Sequence, residues 1–320
     1  MKIITELKKH FCADGIHRVK LAQLKSLRKR YPNSPLLELA INLMRKKIWL
    51  FPGREFLSEN FLRQLKGVDN KVLTINGVKF KLNDAALRRV FLFEYTDLFS
   101  ADDNFRNNYS SEPLFDEIMS ILFEMDGPYQ YGEVVLNEAD VVIDAGSNMG
   151  VFALLAAKHK KCKVYAFEPN PAMTFLINEN VASNNLNEKI TVIPFGLSNV
   201  TCDVKFKVSS CIGDSSIFME TERYQCIKGE EILSHCVSLD DWVKENKIPK
   251  IDFIKADIEG AERLLLQGAT EVLRTMQPKI SVCTYHLPDD PQVLEKIILD
   301  ANPNYIVIHG EKKLYAYVKQ

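Results

Sequence analysis

The alternation of apolar and polar residues changes character near Ala139. From there to the C-terminus, short runs rich in β-branched residues alternate with segments of helical periodicity. Runs that predict strands occupy residues 141–143, 164–167, 190–193, 253–255 and 280–283. Strands separated by helices indicate a doubly wound α/β domain, in which a mostly parallel sheet carries helices on both faces.

The end of the chain predicts a different connection. Residues 305–309 and 313–318 are two further strand-like runs, with a turn through Gly310 between them. Runs so close in sequence can pair antiparallel at the edge of the sheet. We therefore expect a seven-stranded sheet that is parallel except for a C-terminal antiparallel hairpin.

The first part of the chain shows mainly helical patterns. Ser34 and Pro35 form a good helix start, since the Ser oxygen can accept backbone N–H groups and Pro needs no such bond at the first position. The helix that follows has a broad apolar face, which predicts burial against a neighbouring segment or a second subunit. A helix is also expected over residues 84–98 and a loop over residues 101–111.

One hairpin interrupts this helical region. Residues 71–82 alternate apolar and polar side chains around Asn76-Gly77, a pair that supplies the two positive φ angles of a type I′ turn. We therefore divide the chain into residues 1–125, a mainly helical region that contains the hairpin, and residues 126–320, the α/β domain.

Composition and charge exclude several classes of protein. The 320 residues are 46% hydrophobic and 26% charged with a formal net charge of −1, which predicts a globular protein with no strong attraction to nucleic acids or anionic membranes. The nine basic and two acidic residues among residues 1–30 are interpreted as a solvated helix face. The seven cysteines show no metal-site or redox-motif spacing, and no run approaches the ~20 apolar residues of a membrane helix. Because no apolar segment follows the charged N-terminus, we expect no secretory signal and predict a cytoplasmic protein with reduced thiols.

The first predicted strand of the α/β domain runs into a glycine-rich loop. Residues 144–150 read Asp-Ala-Gly-Ser-Asn-Met-Gly and lie beyond the carboxyl end of that strand, where open α/β sheets bind ligands. A nicotinamide or flavin dinucleotide site would require Gly where the chain has Asn148 and Val151. The carboxylate of Asp144 also gives nothing to a pyrophosphate. It favours a ligand that is cationic at that end, such as a sulfonium compound with an α-amino group.

The second strand of this domain ends in Phe167-Glu168-Pro169-Asn170. A carboxylate at this point can accept hydrogen bonds from both hydroxyls of a ribose, a role shared by dinucleotide and S-adenosylmethionine sites. Since the glycine-rich loop precedes it, we predict that Glu168 binds a ribose.

These motifs, in this order, resemble the FkbM-type family of class I methyltransferases over residues 127–318. Besides the two segments above, the matching segments are 127–132, 238–242, 252–262 and 285–290. Residues 257–262 are the most specific of them. Ser147 departs from the family pattern, which usually has Ala at this position.

The resemblance implies a Rossmann-like fold and methyl transfer from S-adenosylmethionine, usually to an oxygen of a sugar or secondary metabolite. On this basis we assign as cofactor-binding residues Tyr131, Asp144, Gly146, Ser147, Asn148, Gly150, Glu168, Pro169, Asn170 and Gly196. The expected partner is a small-molecule acceptor, with no nucleic acid and no membrane. We further hypothesise that residues 1–125 form a homodimer contact or wall the acceptor pocket.

Two residues are candidates for the proton transfer. Asp257 follows the fourth strand and His286 follows the fifth, so both lie at the carboxyl edge of the predicted sheet. An alcohol must lose its proton as it attacks, and His, with an unperturbed pKa of about 6.5, is ready to accept one. We predict His286 as the general base and Asp257 as the second choice, and we interpret Glu262 as an acid at a helix N-terminus.

Three alternatives stay open at this point. Acids that converge at the sheet edge could hold Mg²⁺, but a sequence does not show convergence, and we assign no metal ligand. A nicotinamide-dependent oxidoreductase is disfavoured by Asn148 and Val151. A non-catalytic binding or scaffold protein is disfavoured because such a protein has no physical need to keep Asp144, Glu168, Asp257 and His286 together.

Overall fold

The computed structural model describes residues 22, 25–29, 32, 41, 72–75, 78–81, 129–209, 229–310 and 312–319. The chain divides into two compact units, one of Met1–Leu73 with Leu82–Met125 and one of Thr74–Lys81 with Asp126–Gln320. Most of the described residues belong to the second unit. The predicted helix over 84–98, the loop over 101–111 and the Asn76-Gly77 turn lie outside the described residues.

A seven-stranded sheet forms the centre of the second unit. The strands of the described residues are β1 (Val72–Ile75), β2 (Val78–Lys81), β3 (Val141–Ala145), β4 (Lys163–Phe167), β5 (Ile190–Ile193), β6 (Gly196–Ser198), β7 (Cys202–Ser209), β8 (Gly229–Ser238), β9 (Phe253–Ala256), β10 (Lys279–Cys283), β11 (Tyr305–His309) and β12 (Lys313–Val318). The central sheet has the order β11-β12-β10-β9-β3-β4-β5. Its strands are parallel except β12, which pairs antiparallel with both β10 and β11. The predicted doubly wound sheet with its C-terminal antiparallel hairpin is confirmed.

Helices cover both faces of this sheet. The described helices are α1 (Val151–Lys160), α2 (Pro171–Ser183), α3 (Leu239–Glu245), α4 (Glu262–Gln267), α5 (Thr270–Thr275) and α6 (Asp290–Ala301). Apolar side chains of α3 to α6 share one core with Ile143 of β3 and Ile254 of β9. Because successive side chains of a strand alternate between faces, Phe253 points to the other side, where its ring lies 6.1 Å from that of Phe152 in α1. None of the helices in the described ranges has the length and apolar content needed to cross a bilayer.

A second, smaller sheet was not predicted from the sequence. Its order is β6-β8-β7, with β6 parallel and β7 antiparallel to β8. Gly268, which follows α4, lies so close to this sheet that a Cβ atom there would be 2.1 Å from the Ser198 carbonyl oxygen. The absence of a side chain at Gly268 therefore lets the small sheet pack directly on the helical layer.

Two asparagines attach β2 to α2. The Asn184 side chain accepts a hydrogen bond from the Lys79 N–H and donates one to the Lys79 carbonyl, both at 2.7 Å. The buried Asn180 accepts from the Lys81 N–H at 2.7 Å and donates to the Met149 carbonyl at 3.3 Å. An asparagine amide offers the same donor and acceptor as a neighbouring strand. These bonds explain why residues 74–81 belong to the second compact unit.

Gly146 marks a very close approach of two loops at the centre of the sheet. It follows β3 with a φ of +73°, and a Cβ atom there would lie 1.9 Å from the carbonyl oxygen of Asp257, which follows β9. The Asp257 N–H also donates to the Ala145 carbonyl at 3.1 Å. Glycine is therefore required at 146 both by the left-handed backbone and by the lack of space.

We expect Gly146→Ala to destabilise the second unit far more than Gly132→Ala. Both glycines have a positive φ, +73° and +59°, so each substitution carries a conformational cost of about 1–2 kcal/mol. Only at Gly146 does the new methyl group also collide with backbone, since nothing lies within 4 Å of the corresponding point at Gly132. Urea unfolding should show a loss at least ~2 kcal/mol larger for Gly146→Ala. Equal losses in the two variants would contradict the described packing.

Candidate functional site

The candidate site lies where the strand order of the sheet reverses. The chain leaves β3 towards β4 on one side, and returns to β9 on the other side. In open α/β sheets the loops diverge at this point and leave a crevice at the carboxyl ends of the strands. The residues that follow β3, β4, β9 and β10 therefore meet around one opening.

A buried ion pair lies under the glycine-rich loop. Asp144 and Lys255 are direct neighbours in the register of β3 and β9, and Lys255 Nζ lies 3.1 Å from Asp144 Oδ1. Lys255 Nζ also donates to the Gly146 carbonyl at 2.7 Å. Asp144 is fully buried, and neither of its oxygens accepts a well-aligned hydrogen bond among the described residues. Lys255 thus neutralises the charge of this carboxylate, while both carboxylate oxygens keep the capacity to accept hydrogen bonds.

The loop itself is held by backbone and hydroxyl groups. The Ser147 hydroxyl donates to the Asp144 carbonyl at 2.8 Å, and the Gly150 N–H donates to the Ser147 carbonyl at 2.7 Å. Gly150, with a φ of +82°, occupies the N-cap of α1. Ser147 therefore makes one hydrogen bond that an alanine could not make. A serine at this position, where the resembling family usually has Ala, thus fits the loop.

Glu168 connects the ends of β3 and β4. Its two carboxylate oxygens accept the N–H groups of Asn148 at 2.8 Å and of Asn170 at 2.9 Å. Each oxygen keeps a lone pair for a further donor. The Asn170 side chain caps α2 by accepting the Ala172 N–H at 3.0 Å. Burial raises the pKa of Glu168 to about 7, against the opposing effect of the two backbone donors.

Asp257 lies at the mouth of the crevice between two tyrosines. Tyr129 donates from its hydroxyl to Asp257 Oδ2 at 2.8 Å, and Tyr285 donates to Oδ1 at 3.2 Å. Two buried lysines face the Tyr129 ring, with the ammonium of Lys313 at 4.3 Å and that of Lys255 at 5.2 Å from its centre. Tyr129 thus contacts Asp257, which follows β9, through its hydroxyl, and the ammonium groups of Lys255 and Lys313 through its ring.

His286 is enclosed by acids on three sides. Its Nδ1 lies 3.0 Å from Glu262 Oε1, and its Nε2 lies 3.4 Å from Glu259 Oε2 and 3.7 Å from Asp257 Oδ1. Glu262 also accepts the N–H groups of Ile258 at 2.8 Å and Gly260 at 2.9 Å, so this acid holds the loop after β9. The interpretation of Glu262 as helix-start chemistry therefore describes part of its role only.

The charged groups of this cluster shift one another's pKa values. Burial works to raise the pKa of Asp257, but the positive charges of His286, Lys255 and Lys313 outweigh it and hold that pKa at about 2. Burial works to lower the pKa of His286, but Glu262, Asp257 and Glu259 raise it to about 9. In this arrangement the imidazole carries a proton at neutral pH, so the geometry does not favour it as the resting base.

Most of the predicted site residues surround the crevice. The structure gathers these predicted residues around the ends of β3, β4, β9 and β10: Asp144, Gly146, Ser147, Asn148, Gly150, Glu168, Asn170, Asp257 and His286. Pro169 follows Glu168 and lines a surface groove with Pro194 and Phe175. Their roles stay predictions.

Two predicted residues make other contacts. Tyr131 is 53% exposed, bridges to Val134 and stacks on Tyr315 of β12, with ring centres 5.4 Å apart. Gly196 begins β6 and pairs with Cys236 of β8. The described contacts of these two residues therefore do not include the loop after β3.

The sequence analysis assigned no catalytic or cofactor-binding role to five residues of the cluster: Tyr129, Lys255, Glu259, Glu262 and Tyr285. Tyr129 occurs in the same motif as Tyr131, and the two are indistinguishable in a pattern without a fold. The sequence around Lys255 did contain one signal. A lysine within an apolar strand is rarely buried unless it is paired, so its position predicts a buried acid on a neighbouring strand.

Comparison with known proteins places the chain among methyltransferases. A family model described as "Methyltransferase FkbM domain" matches residues 144–305. Hexuronic acid methyltransferase AglP of Haloferax volcanii is 32% identical over 166 residues, which cover 51% of this chain and 63% of AglP. The 31-O-demethyl-FK506 methyltransferase FkbM of Streptomyces tacrolimicus is 26% identical over 162 residues, which cover 43% of this chain and 62% of that protein. The match thus spans less than two thirds of either relative.

A solved structure shows a general likeness. The crystal structure of Methyltransferase FkbM from Methylobacillus flagellatus KT gives a TM-score of 0.45 at 22% identity. The likeness covers 72% of this chain and 59% of that chain.

We expect Glu168→Gln to change how stability depends on pH. The carboxyl group titrates near pH 7 in the folded protein, against a reference pKa of 4.5 for an exposed Glu. Between those values the folded protein binds more protons than the unfolded chain, so the free energy of unfolding falls as the pH rises, by about 3 kcal/mol from this group. The variant should lose this decline in urea unfolding between about pH 5 and pH 8.

The exposed acid Glu245 provides the control. Glu245→Gln should keep the decline of the wild type, because its carboxyl group is solvated in both states. If Glu168→Gln showed the same decline as the other two proteins, Glu168 would not titrate in this range.

Proposed function

Because the chain belongs to the FkbM methyltransferase family, whose domain matches just over half of it, we propose that it is an S-adenosylmethionine-dependent methyltransferase. We propose further that the acceptor atom is a hydroxyl oxygen of a sugar or secondary metabolite. The names of the two relatives, which refer to a hexuronic acid and to 31-O-demethyl-FK506, support this class of acceptor.

The observation that carries the proposal is the pair of carboxylates on either side of the glycine-rich loop. Asp144 is buried with oxygens that lack well-aligned donors, and Glu168 keeps lone pairs free at the end of β4. A ribose could donate to the free lone pairs of Glu168, and a cationic amino acid end would lie over the loop that covers Asp144. A nicotinamide dinucleotide is disfavoured because its loop would need Gly where this chain has Asn148 and Val151.

Two parts of the site would bind two parts of the cofactor. Glu168 would accept the ribose hydroxyls, and the backbone from Gly146 to Asn148 would face the amino acid end above Asp144. When bound, S-adenosylmethionine supplies an activated methyl group, whose carbon–sulfur bond breaks with the electron pair passing to sulfur as the acceptor oxygen bonds to carbon. The protein contributes mainly by holding the reacting atoms in line, which can supply roughly 7–11 kcal/mol.

The acceptor side of the site is assigned to Asp257 and His286. The Asp257 side chain is 22% exposed and the His286 side chain is 1% exposed, so only Asp257 can contact an acceptor without rearrangement. We therefore propose that Asp257 accepts a hydrogen bond from the acceptor hydroxyl and orients it, and that His286 positions Asp257. This order reverses the ranking that the sequence suggested.

The scaffold alternative is disfavoured by the same contacts. A protein without the reaction would gain nothing from burying Asp144 and enclosing His286 in acids, because burying charges costs several kcal/mol per group. The role of residues 1–125, a homodimer through them and a cytoplasmic location stay predictions.

Calorimetric titration is expected to show S-adenosylmethionine binding that is lost in Glu168→Ala. The substitution removes the acceptor of two ribose hydroxyl bonds, each of which is worth about 1.5–3 kcal/mol when made to a charged group. NAD should not bind to the wild type, and Glu245→Ala should bind the methyl donor as the wild type does. Tight binding of NAD would instead support the oxidoreductase, and a folded wild type that binds neither compound would support the scaffold.

Asp257→Asn is expected to lower kcat by about 10²-fold, through loss of acceptor orientation, in a methylation assay with hexuronic acid glycosides and hydroxylated metabolites as acceptors. The affinity for S-adenosylmethionine should change by much less, because the residue acts on the acceptor. Asp203→Asn, at an exposed acid on β7, is the matched control and should leave kcat unchanged. A kcat near the wild-type value in Asp257→Asn would exclude the proposed orientation of the acceptor by Asp257.

A further inference from the structure

The cluster at the mouth of the crevice has the donor set of a metal site. Asp257, Glu262 and His286 each offer one ligand atom, and these atoms lie within 4.8 Å of one another. Ligands of one cation are about 3–5 Å apart, since bond lengths are about 2.0–2.6 Å. Three different segments bring these residues together, namely the loop after β9, the start of α4 and the segment after β10. The sequence could not show this convergence.

A second observation points to a ligand at this place. The His286 side chain is 1% exposed, and neither ring nitrogen makes a well-aligned hydrogen bond among the described residues, although carboxylate oxygens lie 3.0 to 3.7 Å away. Three carboxylates around one buried imidazole also leave an excess of negative charge, and burying uncompensated charge costs several kcal/mol. A cation that displaces the imidazole proton to solvent would bind a ring nitrogen and the carboxylate oxygens at once.

The surrounding structure holds the donors rigidly. Glu262 is fixed by the N–H groups of Ile258 and Gly260, and each of its oxygens keeps a lone pair. The segment that carries His286 is tied to α4 by Arg263, which pairs with Asp290 at 2.6 Å. Outer hydrogen bonds of this kind orient the ligands of metal sites in general.

We propose that Asp257, Glu262 and His286 bind one divalent first-row transition-metal cation. Carboxylates alone suit Mg²⁺ or Ca²⁺, whereas an imidazole with carboxylates suits cations such as Mn²⁺ or Fe²⁺. The site has two carboxylates and one imidazole. A third carboxylate, that of Glu259, lies beside it, with Oε2 at 3.4 Å from His286 Nε2.

The cation would also define the acceptor. Building on the proposed methyl transfer, a metal beside Asp257 would bind the acceptor oxygen and make its proton easier to remove. It favours acceptors with two neighbouring oxygen atoms, such as a vicinal diol or a hydroxyl next to a carboxylate. Binding of the metal itself does not depend on the reaction, so the two proposals can be tested separately.

The test is a Mn²⁺ titration of the full chain after removal of metals with a chelator. The loss of the electron paramagnetic resonance signal of free Mn²⁺ measures binding, and we expect saturation at about one ion per chain. Asp257→Asn and His286→Gln should weaken binding at least about tenfold. His309→Gln is the matched control, because His309 forms an exposed pair with Glu295 at 2.9 Å outside the cluster.

Titration of the same samples with S-adenosylmethionine separates the possible outcomes. Saturable Mn²⁺ binding in the wild type and in His309→Gln that is lost in Asp257→Asn supports the site, even if the methyl donor fails to bind. A wild type that binds the methyl donor but no Mn²⁺ overturns the metal site and leaves the methyltransferase proposal intact. Mn²⁺ binding of wild-type strength in Asp257→Asn overturns it as well, and this variant, at a partly exposed position, decides the matter if His286→Gln does not fold.

Discussion

The candidate site depends on one buried ammonium group, that of Lys255. It lies 3.1 Å from Asp144 Oδ1 and donates to the Gly146 carbonyl at 2.7 Å. The same group therefore neutralises a fully buried carboxylate and fixes the loop that leaves β3. Without it, Asp144 would be a buried uncompensated charge, at a cost of several kcal/mol. The contact between Gly146 and the Asp257 carbonyl also relies on this loop keeping its place.

The electrostatic balance around this lysine explains what the crevice can bind. Among the residues that the structure describes there, the carboxylates of Asp144, Asp257, Glu259 and Glu262 face the cationic side chains of Lys255, Lys313 and His286. The site thus carries an excess of negative charge in a region that is largely closed to water. Such a region attracts a cationic ligand strongly, because charges interact more strongly where water is excluded. A sulfonium cofactor and a divalent cation would each offset this negative charge, at different ends of the crevice.

Exposure, rather than residue type, separates the roles of the two catalytic candidates. Histidine is the more usual base near neutral pH, but the three acids around His286 raise its pKa to about 9 and enclose its ring. Asp257 is partly open and accepts hydroxyl groups from Tyr129 and Tyr285. The tyrosines orient its oxygens, so the residue best placed to meet an acceptor is the carboxylate.

What the sequence determined by itself was local. Apolar periodicity located all seven strands of the central sheet, and the order of the motifs after β3 and β4 identified Asp144 and Glu168 as candidates. These features are readable because strand patterns and loop glycines depend on near neighbours in the chain. The small sheet of β6, β7 and β8 was not predicted, and neither were the asparagine contacts to β2, which join residues about a hundred positions apart in sequence.

Only the tertiary structure decided which side chains meet. It brought Tyr129 rather than Tyr131 to Asp257, across a separation of 128 residues, and it placed Glu262 against the His286 ring. The reason is physical. A pKa, a metal site and the access of an acceptor depend on distances between segments and on the exclusion of water, and both arise only when the strands assemble.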